Sequence, residues 1–247
     1  MGKEKSVPAI ETRGLQFAYE GGHAVFRSLD LCIPAASRTL LIGANGVGKS
    51  TLLSLVAGRH LLAPGQLRVF GRCPFTDLSL SGEIALVDGD FPIHLDLKVR
   101  ELLDHSTPQV DPKREKELLE ILEIDPRWRM HRVSDGQRRR VQLLIALRRP
   151  TKLLLLDEVT AHLDVVGRAD FISWLRERST ADSMTVLYAT HIFDGLLDPT
   201  RDPWPTHVCF LGFESEPYYA PVEGVAALRK ESLYSVCERW IRKDRAP

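Results

Sequence analysis

The chain has 247 residues, 44% of them hydrophobic and 27% charged, a composition typical of a globular protein that is large enough to bury a sizeable core. Its 33 basic and 33 acidic residues cancel, which excludes a strong overall field for nucleic acid or for an anionic membrane. No apolar run approaches the roughly 20 residues needed to span a bilayer, and residues 1–10 lack the apolar core of a secretory signal, so we expect no membrane insertion.

The four cysteines lie far apart and form no C-x-x-C pair, so they predict neither a disulfide framework nor a zinc site. We therefore expect a reducing compartment, the cytoplasm, with the nucleus as the alternative.

Short strand patterns open the chain, at residues 15–19, 24–26 and 29–33, around a turn at Glu20-Gly21-Gly22. They predict a small antiparallel layer. Tyr19 closes the first of these strands. Its flat ring can stack on a purine, but strand aromatics more often pack half-buried against their neighbours, and the residues alone favour packing.

The stretch from Gly43 to Thr51 fits G-x-x-x-x-G-K-[ST], the phosphate-binding P-loop. An apolar strand pattern at residues 38–42 precedes it, and a helix pattern from Lys49 that stops at Gly58 follows it. Glycines let successive N–H groups turn towards phosphate oxygens, and the helix N-terminus adds further donors. The predicted phosphate-binding residues are Gly43, Asn45, Gly46, Gly48, Lys49, Ser50 and Thr51. Lys49 is assigned to the β- and γ-phosphates of a bound nucleotide triphosphate, and Ser50 to Mg²⁺.

The middle of the chain adds strands at residues 66–70 and 83–88 and then turns helical over residues 98–150. Asp111 and Pro112 supply a helix N-cap and a first-turn proline. Ser134 and Gln137 fit a capping box at the start of a later helix. The three consecutive arginines, Arg138 to Arg140, suit either RNA binding or a solvated or phosphate-facing helix surface, and the zero net charge favours the helix surface.

Residues 152–158 are a continuous leucine run that ends in two acids, Asp157 and Glu158, as expected of a central parallel strand buried on both faces. A helix pattern at 168–178 and a strand pattern at 185–190, ending at His191, follow. Alternating strands and helices predict an α/β fold whose ligands gather where parallel strands end. We assign Mg²⁺ binding to Asp157, the general base to Glu158, and contact with the γ-phosphate and the water to His191.

The last part of the chain predicts a strand at 208–213 and an amphipathic helix within 225–243. Packing of this helix on the core is the favoured interpretation, and a membrane-surface or partner helix is the alternative.

Together these motifs resemble the ABC ATPases. Residues 133–137, Val-Ser-Asp-Gly-Gln, resemble the LSGGQ signature of that family, residues 161–164 its D-loop, and His191 its switch histidine. Longer runs at 128–137, 156–160 and 188–196 resemble soluble eukaryotic members, namely plant type I proteins and a fungal factor linked to CCR–NOT mRNA deadenylation.

The resemblance implies a P-loop NTPase core with a mainly parallel sheet, an N-terminal antiparallel β-layer and a helical subdomain. It also implies one ATP-binding domain at residues 8–247, with the helical subdomain at about 92–150 and the C-terminal strand and helix at about 206–243. Family members dimerise head to tail, so Ser134, Gly136 and Gln137 would contact ATP held by a second copy of the chain. Tyr19 matches the aromatic residue that stacks on adenine in that family. The resemblance therefore favours stacking on the nucleotide over packing against neighbouring side chains as the role of Tyr19.

Two positions depart from the family pattern. Asp88, Gly89 and Asp90 stand where the Q-loop glutamine is expected, and we therefore expect slow hydrolysis. Asp135 stands where the signature has glycine. A carboxylate ~4 Å from a phosphate would cost about 4 kcal/mol at an effective dielectric of ~20, so we predict that Asp135 points away from the nucleotide.

Three functions are compatible with these residues. The favoured one is an ATPase that hydrolyses Mg-ATP in a head-to-tail homodimer and acts on a protein partner, such as a regulatory complex in mRNA metabolism. The alternatives are a nucleotide-binding subunit of a membrane transporter and a scaffold that binds ATP with negligible hydrolysis. Direct nucleic acid binding is not expected.

Overall fold

The computed structural model describes residues 7–89, 96–105, 110–193, 195–196, 203–213 and 216–245. Asp90, Asp194 and the expected start of the helical subdomain near residue 92 lie outside these residues. The strands are, in chain order, β1 (Ile10–Ala18), β2 (Ala24–Ile33), β3 (Arg38–Gly43), β4 (Leu67–Val69), β5 (Ile84–Val87), β6 (Leu153–Asp157), β7 (Thr185–Ala189), β8 (His207–Leu211) and β9 (Tyr218–Pro221). The α-helices of the described residues are α1 (Lys49–Val56), α2 (Val99–His105), α3 (Pro112–Ile121), α4 (Asp135–Leu147), α5 (Val165–Ala181) and α6 (Leu233–Arg245).

The strands form two sheets. A three-stranded antiparallel sheet has the order β2-β1-β4, and a six-stranded sheet has the order β5-β6-β7-β3-β8-β9. The first five strands of the larger sheet are parallel, and β9 pairs antiparallel with β8 at the edge. The predicted α/β fold, with its parallel core sheet and small antiparallel layer, is confirmed.

Strand β6 shows why the leucine run belongs in the centre of the sheet. Leu153 and Leu155 face the hydrophobic cluster that contains β1, β2 and α1, whereas Leu154 and Leu156 face the cluster that contains α2 to α6. All four side chains are fully buried. Because successive strand residues point to opposite faces, a strand covered on both sides needs apolar residues at every position.

The expected helical region consists of α2, α3 and α4. The side chain of Asp111 accepts hydrogen bonds from the backbone N–H groups of Lys113 (3.0 Å) and Arg114 (3.3 Å), with Pro112 in the first turn, so the predicted cap of α3 is confirmed. The capping box of α4 is confirmed as well: Ser134 Oγ accepts from Gln137 N at 3.2 Å, and Ser134 N donates to Gln137 Oε1 at 2.9 Å.

Removal of the α3 cap gives a first prediction. Asp111→Ala is expected to lower the free energy of unfolding by ~1 kcal/mol, because two N–H groups of the first turn lose their acceptor. The measurement is urea denaturation followed by circular dichroism. Lys116→Ala, at an exposed position of the same helix, is the control and should leave the midpoint unchanged. Equal midpoints for Asp111→Ala and the wild type would show that the cap contributes nothing.

The C-terminal helix α6 packs on the core, as favoured. Leu233, Val236 and Cys237 of α6 are buried. Helix α5 extends beyond the predicted 168–178 at both ends, since Asp164 caps its N-terminus by accepting from Gly167 N at 2.7 Å. In the described part of the chain, no helix combines the length and apolar character that a membrane crossing needs.

Candidate nucleotide-binding site

The predicted site residues of three strands lie at one edge of the larger sheet. Because β6, β7 and β3 are parallel neighbours, Asp157, His191 and the loop after Gly43 all follow the carboxyl ends of adjacent strands. Ser50, Asp157 and Glu158 line one cavity of about 350 Å³ at this edge. The structure therefore brings together side chains that lie more than a hundred residues apart in the sequence.

The P-loop joins β3 to α1 in the expected order. Gly46 and Gly48 have φ angles of +83° and +104°, which glycine adopts without strain. A Cβ at Gly48 would lie 2.7 Å from both Phe26 Cζ and Val25 Cγ1, so only glycine fits this turn. Among the described residues, no side chain caps the N-terminus of α1 at Gly48. Its first N–H groups therefore face the loop, where an anion can accept from them.

Lys49 is 8% exposed, and its ammonium donates to the carbonyl oxygens of Gly43 (2.8 Å) and Ala44 (3.0 Å). Burial lowers the pKa of the Lys49 ammonium, and the negative charges of Glu158 and Asp157 oppose that shift. A buried cation that is held only by loop carbonyls is suited to exchange them for phosphate oxygens, which carry full charge.

Glu158 has an unusual backbone. Its φ is +50°, in the left-handed region that non-glycine residues seldom occupy, and its N–H donates to Ala189 O at 2.9 Å. Glu158 Oε2 accepts from Thr190 Oγ1 (3.2 Å) and from the backbone N–H of His191 (3.3 Å). Within the described residues, Glu158 Oε1 is buried and accepts no hydrogen bond. An ionisable oxygen that is fixed in place and makes no hydrogen bond to these residues is suited to bind a water molecule.

His191 Nε2 lies 3.4 Å from Glu158 Oε1, and the imidazole is 42% exposed. Burial and the nearby charge of Lys49 lower the pKa of His191, whereas Glu158 and Asp157 raise it, with a net decrease. Since the ordinary histidine pKa is ~6.5, the ring is neutral at pH 7 and keeps one N–H donor and one acceptor nitrogen.

Tyr19 lies at the end of β1, beside the P-loop. Its side chain is 46% exposed, its hydroxyl lies 3.2 Å from Thr51 Oγ1, and its ring makes edge contacts with Phe17 and His60 at centroid distances of 5.0 and 5.6 Å. The ring thus contacts two aromatic neighbours, and its hydroxyl lies near Thr51 of α1, next to the loop that would carry the phosphates.

The signature residues lie at the N-terminus of α4. Ser134 and Gln137 are engaged with each other in the capping box, and Asp135 is among the residues that line the cavity. The Asp135 side chain is 92% exposed, with its carboxylate 3.5 Å from Arg138 Nη1. That it points away from a bound nucleotide stays a prediction.

The three consecutive arginines differ in their surroundings. Arg138 pairs with Asp135, and Arg140 pairs with Glu123 at 2.8 Å. Arg139 is 9% exposed and donates to backbone carbonyls of the site.

Mg²⁺ fits the donor set. In the part of the chain that the structure describes, no group of three or more His, Cys, Asp or Glu side chains could hold a metal ion alone. Ser50 and Asp157 offer oxygens to one cavity. Mg²⁺ is usually held by one or two protein oxygens together with phosphate oxygens and water, which is what these two residues allow.

Sequence reasoning missed four residues that hold the site together. They are Arg59, Arg139, Gln142 and Thr190. Thr190 follows β7 and could have been noticed as the polar residue before His191. The others hydrogen-bond across long sequence separations, for which a single sequence offers no signal.

Comparison with known proteins agrees with this geometry. A family profile described as "ABC transporter" matches residues 26–161. The chain is 38% identical to ABC transporter I family member 20 of Arabidopsis thaliana, over 98% of the chain and 79% of that protein. It is 40% identical to CCR4-associated factor 16 of Saccharomyces cerevisiae, over 81% of the chain and 74% of that protein.

Solved structures show the same fold. The ATP-binding subunit of an ABC transporter superposes with a TM-score of 0.79 at 18% identity, covering 95% of this chain and 99% of that one. A dimeric ATP-binding cassette in a post-hydrolysis state, bound to ADP and Pi, superposes with a TM-score of 0.70 at 20% identity, covering 87% of this chain and 99% of that one. The chain therefore belongs to the ABC transporter family and is an ABC-type P-loop ATPase domain.

Proposed function

We propose that the protein binds Mg-ATP and hydrolyses it slowly in a head-to-tail homodimer, and that this cycle acts on a protein partner. The observation that carries the proposal is the cavity shared by Ser50, Asp157 and Glu158, where Glu158 Oε1 makes no hydrogen bond to the described residues and His191 Nε2 lies 3.4 Å from it. A scaffold that only binds ATP would not need a carboxylate held ready beside the phosphate loop.

Binding involves the chain's own groups as follows. The P-loop N–H groups and Lys49 take the phosphates, and Lys49 gives up its bonds to Gly43 and Ala44 in doing so. The exposed face of Tyr19 offers a stacking surface for the adenine ring. Ser50 and Asp157 would hold Mg²⁺, which when bound neutralises charge on the phosphates.

Hydrolysis needs a base and a donor at the γ-phosphate. Glu158 Oε1 accepts a proton from the attacking water. The Thr190 hydroxyl and the backbone N–H of His191 keep the carboxylate oriented. The neutral imidazole of His191 donates to the γ-phosphate oxygen. We expect a slow rate because Asp88 stands in the loop after β5 in place of a glutamine, and its carboxylate is already paired with Arg59.

The signature residues at the start of α4 keep an exposed surface, which supports a second copy as the other half of the site. Ser134 and Asp135 are exposed at the N-terminus of α4, where N–H groups and the helix dipole attract phosphate. The structural neighbour described as dimeric belongs to the same fold.

Metal removal tests the activity. We expect phosphate release from ATP in Mg²⁺ buffer and none above background in excess EDTA. Without the metal, neither the uncharged Ser50 nor the negative Asp157 can neutralise the phosphates. The measurement is a coupled phosphate assay on purified protein, with Lys49→Ala as the binding-deficient control. ATP binding without phosphate release would favour the scaffold, and absence of both binding and release would overturn the proposal.

The partner is proposed from similarity alone. The yeast relative is named as a CCR4-associated factor, which supports a regulatory protein complex rather than a transporter as the partner of this chain. All four cysteines are free and two are exposed, which agrees with the cytoplasm or nucleus as the compartment. Affinity purification distinguishes the alternatives, since a stoichiometric integral membrane protein would favour the transporter subunit.

A further inference from the structure

Two side chains of α4 reach into the carboxylate side of the site. Arg139 Nη2 donates to the carbonyl oxygen of Asp157 at 2.8 Å, while its Nη1 donates to Gly89 O and to Gln142 Oε1. Gln142 Nε2 donates to Asp88 O at 3.0 Å. Residues at i and i+3 of a helix share a face, so the two side chains form one unit that links α4, β6 and the loop after β5.

The bond to Asp157 O fixes one particular peptide group. That carbonyl belongs to the peptide between Asp157 and Glu158, and the N–H of the same peptide donates to Ala189 O at 2.9 Å. The peptide plane is thus held from α4 on one side and from β7 on the other. The next rotatable bond is the φ of Glu158, which stands at +50°.

Such a conformation needs support. A non-glycine residue in the left-handed region is disfavoured by ~1–3 kcal/mol and persists only where its surroundings hold it. The guanidinium is well suited to that task, because it is planar, permanently charged and offers several N–H donors in a fixed geometry. Burial of a charged group such as Arg139 is tolerated because carbonyl oxygens surround it.

We propose that Arg139, oriented by Gln142, is a positioning residue: it clamps the Asp157–Glu158 peptide and thereby sets the metal-binding acid and the base relative to each other. This inference rests on the proposed function of the site. Arg139 is among the residues that line the cavity, but in the proposal it acts through the two acids and not on the nucleotide or the water. Ser134 caps the same helix, so the clamp also joins the residues that would meet the second copy to those that would hold the metal.

The test separates positioning from general stability. For Arg139→Gln we expect kcat to fall about tenfold or more, because a small displacement of the acids is costly in a preorganised site. The apparent affinity for Mg²⁺, titrated against a bound fluorescent ATP analogue, should also fall. The affinity for that analogue in EDTA should stay within about twofold of the wild type, because the P-loop is untouched. Gln142→Ala should show a smaller loss of kcat in the same direction.

Arg140→Gln is the matched control, since Arg140 is an arginine of the same helix that pairs with Glu123 instead. Arg139→Lys keeps the positive charge but loses the forked N–H donors of the guanidinium. We therefore expect its kcat to lie between those of Arg139→Gln and the wild type. Independently of activity, hydrogen exchange of the Glu158 amide should be about tenfold faster in Arg139→Gln and unchanged in Arg140→Gln.

Two results would overturn the clamp. One is an Arg139→Gln protein with wild-type kcat, Mg²⁺ affinity and amide exchange. The other is a loss of thermal stability accompanied by equal losses in kcat and in nucleotide affinity without metal, which would show a purely structural role. If Arg139→Gln does not fold, the same measurements on Gln142→Ala and Arg139→Lys test the clamp. A wild type that neither binds nor hydrolyses ATP would instead overturn the proposed function, and amide exchange would still report on the clamp.

Discussion

Replacing Glu158 by glutamine is expected to lower ATP hydrolysis by ~10²–10⁴-fold, while ATP still binds and an ATP-bound dimer accumulates. The amide has nearly the same shape as the carboxylate, and its oxygen can keep the bonds from Thr190 Oγ1 and His191 N. What is lost is the ability of Glu158 Oε1 to accept a proton from water. Because ATP is not hydrolysed, the ATP-bound dimer that precedes hydrolysis persists.

Light scattering coupled to size-exclusion chromatography measures this outcome directly. With ATP and Mg²⁺, Glu158→Gln should elute at twice the monomer mass, and the wild type should return to monomer as ATP is consumed. Glu177→Gln makes the same chemical change at an exposed position of α5 and should behave as the wild type. A Glu158→Gln protein that binds ATP yet stays monomeric at saturating ATP would contradict the head-to-tail mechanism.

The larger sheet could be predicted from sequence because its signals are local. The leucine run of β6 can be recognised without knowing which strands pair with it. The P-loop motif by itself predicts a strand before it and a helix after it. The spatial order of the strands is different. It depends on crossovers, and the sequence alone does not say that β6, β7 and β3 are adjacent.

Strand β2 shows how pairing overrides pattern. The sequence predicts two separate pieces, at residues 24–26 and 29–33, yet β2 is continuous through Arg27 and Ser28. Leu15 pairs with Leu29 and Phe17 with Phe26, so two residues of β2 stand opposite one of β1. This β-bulge exposes both polar residues and restores the apolar alternation beyond them. The edge strand β9, at residues 218–221, was missed because it is short, half-exposed and ends in proline.

The motifs of the candidate site could be predicted from the sequence, but the residues that hold them in place could not. Asp157, Glu158 and His191 follow recognisable strands, and the structure places them at one edge. The left-handed backbone of Glu158 and the buried arginine behind it arise from tertiary contacts with residues in other elements. Arg139 looked like one of three surface arginines, because helix periodicity alone does not tell which of consecutive charged residues faces a buried loop.

Gly136→Asp is expected to abolish ATP-driven dimerisation and hydrolysis without disturbing the monomer. A Cβ at Gly136 would lie 3.6 Å from His162 Cβ, an ordinary contact, and its φ is not in the left-handed region, so the chain accommodates a side chain there. An acid in the first turn of α4 also suits the helix dipole. Facing the γ-phosphate of a second copy, however, the carboxylate would cost about 4 kcal/mol at ~4 Å and an effective dielectric of ~20, or roughly a thousandfold in affinity.

Mixing variants makes the test specific for sites shared between two copies. Gly136→Asp keeps an intact P-loop, and Lys49→Ala keeps an intact signature, so neither homodimer has a complete site. A mixed dimer has one, formed by the P-loop of the first variant and the signature of the second. We expect each variant alone to be inactive and an equimolar mixture to recover at most about half of wild-type hydrolysis, since only mixed dimers form with ATP and each mixed dimer has one of its two sites complete.

Thermal unfolding of each variant establishes that both are folded before they are mixed. Gly82→Asp places the same side chain where no described residue lies within 4 Å of the new Cβ, and it should retain full activity alone. Full hydrolysis by Gly136→Asp on its own would show that the signature does not contribute to the site. Folded variants whose mixture stays inactive would show that the two halves do not come from different copies. Recovery in the mixture, by contrast, has no explanation within a single chain, because each chain lacks an element that only the other supplies.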